Sequence, residues 1–198
     1  MYLRIRIAML ALFAAFPVLG AVPGAMAPEF TIADTNGKPV RLADYRGKYI
    51  VLEWTNPECP FVRKHYTSGN MQALQNEWGA KDVVWLSINS THANHGEFKT
   101  GDEMGGWMRA QGGTPQATLI DGTSATGRAY GAKTTPHMFV VDPSGKLIYN
   151  GAIDDRRSSN PADAKGANNY VRAALTDATA GRPVTVATTT PYGCSVKY

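Results

Sequence analysis

The chain has 198 residues, 43% of them hydrophobic and 18% charged, with a formal net charge of +4. That composition is ordinary for a globular protein, and the length suits one compact domain plus a leader. No basic run or stripe argues for a nucleic-acid partner.

The opening stretch, MYLRIRIAMLALFAAFPVLGAVPGAMA, has two arginines, an apolar run and then small residues, the pattern of a secretory signal peptide over residues 1–27. Pro17 and Gly20 interrupt the apolar run, which is too short for a membrane span, so no stable span is expected after cleavage. Cleavage after Gly20 or Ala21 fits the small-residue rule, whereas cleavage after Ala27 puts Pro28 next. The leader carries Arg4 and Arg6 and no acid; without it 18 basic residues face 16 acidic ones, a formal charge of +2. Export to a periplasmic or secreted location lets the two cysteines exist as a disulfide.

The domain is expected over 28–198. EFTIADTNGKPVRLADYRGK alternates on both sides of Asn36-Gly37, a hairpin signal. KYIVLEWT (48–55) is a short apolar run of the kind found in a buried central strand. Pro60 suits the first position of a helix, which leaves Cys59 as its N-cap. Ser68-Gly69-Asn70 interrupts that helix before MQALQNEW resumes helical spacing. DVVWLSIN (82–89) reads as a second buried strand, followed by a short helix from Asp102 to Gln111. ATLID (117–121) reads as a strand and TSATGRAYG as a short helix. TTPHMFVVD and KLIYNGAID form a hairpin about Pro143-Ser144-Gly145. NNYVRAALTDATAG is an amphipathic helix with Tyr170, Val171, Ala174 and Leu175 on one face, and an irregular tail carries Cys194. The order predicts an α/β sandwich with a mixed sheet.

Cys59 is open to three readings: half of an inert staple, a metal ligand, or a reactive thiolate. Unpaired N–H groups and the positive end of a helix dipole favour the thiolate. Arg63 and Lys64, one turn along, add positive charge, and Glu58 opposes it.

PEFTI-x-D-x-NGKPV-x-LADYRGK, then YIVLEWT, then a cysteine at a helix start, resembles the thioredoxin-fold redoxins, including the alkyl-hydroperoxide-reductase/thiol-specific-antioxidant (peroxiredoxin-like) family. KTTPHMFVVDPSGKLIYNGAID looks like the second half of that fold, and PYGCSVKY is similar to the tail of a branch with one active-helix cysteine. The resemblance implies a thioredoxin-like three-layer sandwich with a mixed central sheet, an N-terminal hairpin, and a C-terminal helix plus tail. Two departures stand out. CPFV has Val62 where the thioredoxin pattern has its second cysteine, and Asn56 and Leu52 stand where the peroxiredoxin pattern has threonine and proline.

By that resemblance Cys59 is the nucleophile, attacking a disulfide sulfur or a peroxide oxygen. Glu53, six residues ahead, lies buried beneath it; a desolvated carboxyl there takes or gives the thiol proton. Thr135-Pro136 is a cis bond that exposes the residue-135 backbone to an extended substrate. Trp54, Thr55, Pro60 and Thr135 are the expected substrate contacts, although the four tryptophans also read as core. Cys194 is a resolving or a structural cysteine; closing the loop of 135 residues to Cys59 stabilises by roughly 4 to 5 kcal/mol on the chain-entropy model. No cofactor is implied. The implied partners are a protein thiol or disulfide, or a peroxide, with an external thiol as electron donor. Two alternatives remain: a copper- or zinc-binding accessory protein using Cys59 and His137, and a binding domain with a permanent disulfide.

Overall fold

The computed structural model describes residues 21–198, so residues 1–20 of the expected leader lie outside the described residues. The centre is a five-stranded sheet. β3 (Ile50–Trp54) lies between β4 (Val84–Asn89), parallel to it, and β7 (His137–Val141), antiparallel. β5 (Ala117–Ile120) extends the sheet beyond β4, and β8 (Leu147–Gly151) pairs antiparallel with β7. The order is β5-β4-β3-β7-β8, a mixed α/β sheet. The two strands of the expected hairpin, β1 (Thr31–Ala33) and β2 (Pro39–Arg41), pair about Asn36-Gly37 and lean on the β5 edge through Asp34 and Leu119.

β3 is buried at all five positions because both faces of the sheet are covered, which is why its sequence runs apolar without alternation. Alternation survives in which face each side chain takes. Val51 packs with Met138 and Val140 under α1 (Pro60–Thr67), α2 (Asn70–Gly79) and α5 (Tyr170–Thr179). Ile50, Leu52 and Trp54 face the other way, toward the N-terminal segment and α4 (Ala125–Tyr130). α3 (Gly101–Ala110) opens with a capping box between Thr100 and Glu103, which closes two of its free N-terminal donors. In α5, Val171, Ala174 and Leu175 are buried as the pattern implied, while Tyr170 is only partly so.

Residues 21–27 belong to the folded body, ahead of the expected boundary at Pro28. Ala21 and Ala27 are core residues, and Met26 bridges Lys146. The Asn150 amide donates to the Ala21 carbonyl at 2.7 Å, and the Ala27 N–H donates to Gly145 O at 2.9 Å. Among the described residues no helix is long and apolar enough to cross a membrane.

Candidate active site

The thiol site is assembled where α1 meets the loop before β7. Pro60 occupies the first turn of α1, Cys59 has extended N-cap geometry, and its carbonyl accepts the first helical bond from Arg63 at 3.0 Å. The Cys59 N–H donates to Asn56 O at 3.0 Å, which turns the chain off β3. The thiol is 1% exposed. It donates to the Thr135 carbonyl at 2.9 Å, and the Thr135-Pro136 bond is cis.

The tail returns to the same place. Cys194 and Ser195 form a two-residue strand, β9, paired antiparallel with β6 (Thr134–Thr135), and Cys194 stands opposite Thr135. Gly193 makes this approach possible. Its φ is +136°, and a Cβ there would lie 2.0 Å from the Thr135 oxygen. Both cysteines are free thiols. Cys194 is pushed up to about 12, first by burial and then by the neighbouring Cys59 sulfur.

Glu53 lies on the Cys59 side of β3 and is fully buried. Its carboxylate accepts from Trp85 Nε1 at 2.8 Å, Ser87 Oγ at 2.9 Å and Tyr66 OH at 2.9 Å. Burial pushes its pKa up, and these donors oppose the rise. Trp85, Ser87 and Tyr66 carry no motif that marks them in the sequence; the first two reach the carboxyl from β4 and the third from α1. Glu53→Gln is expected to fold, because a glutamine oxygen serves Trp85 and Ser87 while its amide faces a tyrosine hydroxyl able to accept. Its pH–rate profile is expected to lose the acidic limb; an unchanged profile would remove Glu53 from the proton transfers.

Three expected site residues are placed elsewhere. Trp54 faces away from Cys59, fully buried against Tyr130 and Phe139, with Nε1 donating to Ser90 Oγ at 3.0 Å. Thr55 is enclosed between strands, its N–H on Ile88 O and its carbonyl taken by Asn89, so it offers no open surface to substrate. His137 shares the Trp54 face and stacks on Phe139 with ring centroids 4.4 Å apart. Its Nδ1 accepts from the Lys133 N–H at 3.2 Å, so Nε2 carries the proton to Asn150 Oδ1 at 2.7 Å. With both nitrogens engaged on the opposite face, His137 does not join Cys59 as a metal ligand. Among the described residues no group of three or more His, Cys, Asp or Glu side chains is arranged to hold a metal ion. Pro60 is exposed beside the thiol, and Thr135 is buried beneath the tail.

Lys64 also departs from its expected place beside the thiol. It turns inward on α1, with Nζ 3.7 Å from Asp154 Oδ2 and both side chains essentially inaccessible. Arg63 instead forms an exposed pair with Glu58 at 2.9 Å.

A cysteine at the start of a helix, held against a cis-proline loop on a mixed five-stranded sheet, defines a thioredoxin-fold redoxin. The AhpC/TSA family matches residues 23–150, and the chain belongs to that family. A curated relative named thiol-disulfide oxidoreductase ResA, from Geobacillus thermodenitrificans, is 25% identical over 131 residues. That match covers 63% of this chain and 66% of the relative, so the chain spans less than two-thirds of its length. The ResA protein of Bacillus subtilis is 26% identical and is covered over 64% of its length. Two solved structures are similar over nearly the whole fold. One, an uncharacterized conserved protein from Geobacillus kaustophilus, has a TM-score of 0.79 at 30% identity, covering 89% of this chain and 92% of that one. The other, a hypothetical protein of Sinorhizobium meliloti 1021, has a TM-score of 0.78 at 26% identity, covering 90% and 96%.

Proposed function

We propose that the protein is an exported thiol–disulfide oxidoreductase in which Cys59 is the nucleophile and Cys194 the resolving thiol. The observation that carries this reading is the meeting of both free thiols at Thr135, one by hydrogen bond and one by strand pairing. The Cys59 thiolate attacks one sulfur of a substrate disulfide; that S–S bond breaks, and the second substrate sulfur leaves as a thiolate that takes a proton. The Cys194 sulfur then bonds to Cys59 Sγ as the mixed disulfide breaks and the remaining substrate sulfur leaves. The substrate gains two electrons, the protein pair is oxidised, and an external dithiol returns it to the reduced state. The names of the curated relatives support disulfides over peroxides as the substrate class.

Alkylation of the reduced protein followed by intact mass measurement tests the pair. Mild oxidation is expected to close one intramolecular disulfide that is absent from Cys194→Ser. Turnover of hydrogen peroxide with no turnover of disulfides would move the protein to the peroxidase reading.

Export carries its own expected outcome. The docked segment 21–27 favours cleavage after Gly20, which leaves the Ala21 carbonyl available to Asn150. The mature protein isolated from a secreting host is expected to begin at Ala21. A mature start at Pro28 would mean that the docked segment is dispensable.

A further inference from the structure

A polar cluster without a place in the chemistry above is buried one turn beyond Cys59. Lys64 and His65 come from α1, Asp154 from the segment after β8, and Tyr192 from the tail; none is more than 5% exposed. The Tyr192 hydroxyl donates to Asp154 Oδ1, accepts from Lys64 Nζ at 3.3 Å, and lies 3.2 Å from His65 Nε2. His65 Nδ1 is engaged with the Asn70 amide at 3.0 Å, so Nε2 bears the hydrogen that faces the tyrosine.

Burying a lysine and an aspartate this deeply costs several kcal/mol that apolar packing would not incur. Buried charges of that kind are best attested as devices that fix register, and here the register is that of the tail. Tyr192 is the tail's contribution to the cluster and stands two residues before Cys194. Gly193 follows, passing flat over the Thr135 oxygen, and then Cys194 reaches its partner. No residue of 193–198 is buried; this outer part is held by the Val196 N–H on Lys133 O at 3.2 Å, the His92 N–H on Lys197 O at 2.8 Å, the Tyr198 hydroxyl on Ala132 O at 2.6 Å with Arg128 over its ring, and a partly exposed Lys197–Glu97 pair at 3.7 Å. Cys59 is sealed at 1% exposure beneath this outer part, so a macromolecular disulfide reaches it only when residues 194–195 leave β6.

We propose that Tyr192 is a positioning residue: seated among Lys64, His65 and Asp154, it is a fixed pivot from which residues 193–198 lift to admit substrate and return Cys194 to Cys59. The inference rests on the reading of Cys59 and Cys194 as nucleophile and resolving thiol. When the substrate is joined to Cys59, the Cys194 sulfur bonds to Cys59 Sγ, the Cys59–substrate bond breaks, and the substrate sulfur leaves as a thiolate that takes the proton from Cys194. A pivot two residues away keeps the resolving thiol at high effective concentration without chemical contact with the substrate.

The test uses the purified protein in glutathione redox buffers, with the fraction of Cys59–Cys194 disulfide read by mass after alkylation. A second readout is the rate at which iodoacetamide labels Cys59 in the reduced protein. Tyr192→Phe is expected to lower the effective concentration of the pair by tenfold or more and to speed Cys59 labelling by a similar factor. A purely structural role would lower the melting temperature and leave both readouts within twofold of the parent, which would overturn the proposal. If Tyr192→Phe does not fold, Asp154→Asn keeps an acceptor for the tyrosine while removing the charge, and is expected to shift both readouts the same way by a smaller factor. An unshifted, folded Asp154→Asn would overturn the proposal in that case. Failure of the parent itself to close the disulfide would defeat the two-cysteine reading, and the pivot with it, whatever the variants do.

Discussion

Cys59→Ser is expected to lose disulfide-reducing activity by at least about a thousandfold, to the rate of the reductant alone. The fold gives no reason for a structural collapse. A serine hydroxyl at residue 59 can still donate to the Thr135 carbonyl, and the N-cap position tolerates serine well. What disappears is the sulfur nucleophile that bonds to the substrate disulfide. Cys194 does not replace it, because burial, the first cause of its raised pKa, remains when the Cys59 sulfur is gone. The complementary variant separates the two sulfurs: Cys194→Ser is expected to attack substrate once and stop at a mixed disulfide on Cys59, visible as added mass. Activity near the parent level in Cys59→Ser, measured with a small disulfide reagent and followed by absorbance, would place the chemistry elsewhere.

The parts of the site that local pattern encodes were legible in the sequence. Pro60 behind a buried run places Cys59 at a helix start, and Thr-Pro ahead of MFVV places the loop that meets it. The face of each β3 side chain is encoded locally as well. Neighbouring residues in a strand point to opposite faces, so Glu53 beneath the thiol already requires Trp54 to face away. The same alternation separates Met138, which packs with Cys59, from His137, which does not. The Lys64–Asp154–Tyr192 cluster was not legible, because its members come from three segments brought together only by the completed sheet and the returning tail. A lysine on a helix beside arginine reads as surface charge until the partner that admits it to the interior is known. The docking of residues 21–27 was hidden for a related reason: small residues after an apolar run carry the cleavage pattern whether or not they also pack on the domain.

Acidification is expected to reverse the stability order of the parent protein and His137→Gln. His137 is buried and neutral, with Nδ1 accepting from a backbone N–H and Nε2 donating to Asn150. Burial, the largest cause, lowers its pKa to about 4 from an ordinary 6.5. The folded pKa lies below the unfolded one, so the unfolded chain binds the proton first. The stabilising contribution is therefore complete above pH 6.5 and is lost as pH falls toward about 4. At pH 4 the loss from this one group is about 3 kcal/mol, and about half of it is present at pH 5.5. Glutamine has no such proton to bind, but it fills the site less well and is expected to cost about 1 to 2 kcal/mol at pH 7. The variant should thus be the weaker protein at pH 7 and the stronger one at pH 4. His65, lowered to about 3 by burial and the Lys64 charge, and the raised Glu53 and Asp154 also titrate, but they are common to both proteins and cancel in the difference. Urea unfolding of the two proteins at pH 7, 5.5 and 4 measures that difference directly. A constant offset across the three would mean that His137 ionises as easily in the folded chain as in the unfolded one, against the burial and the paired ring nitrogens that hold it neutral.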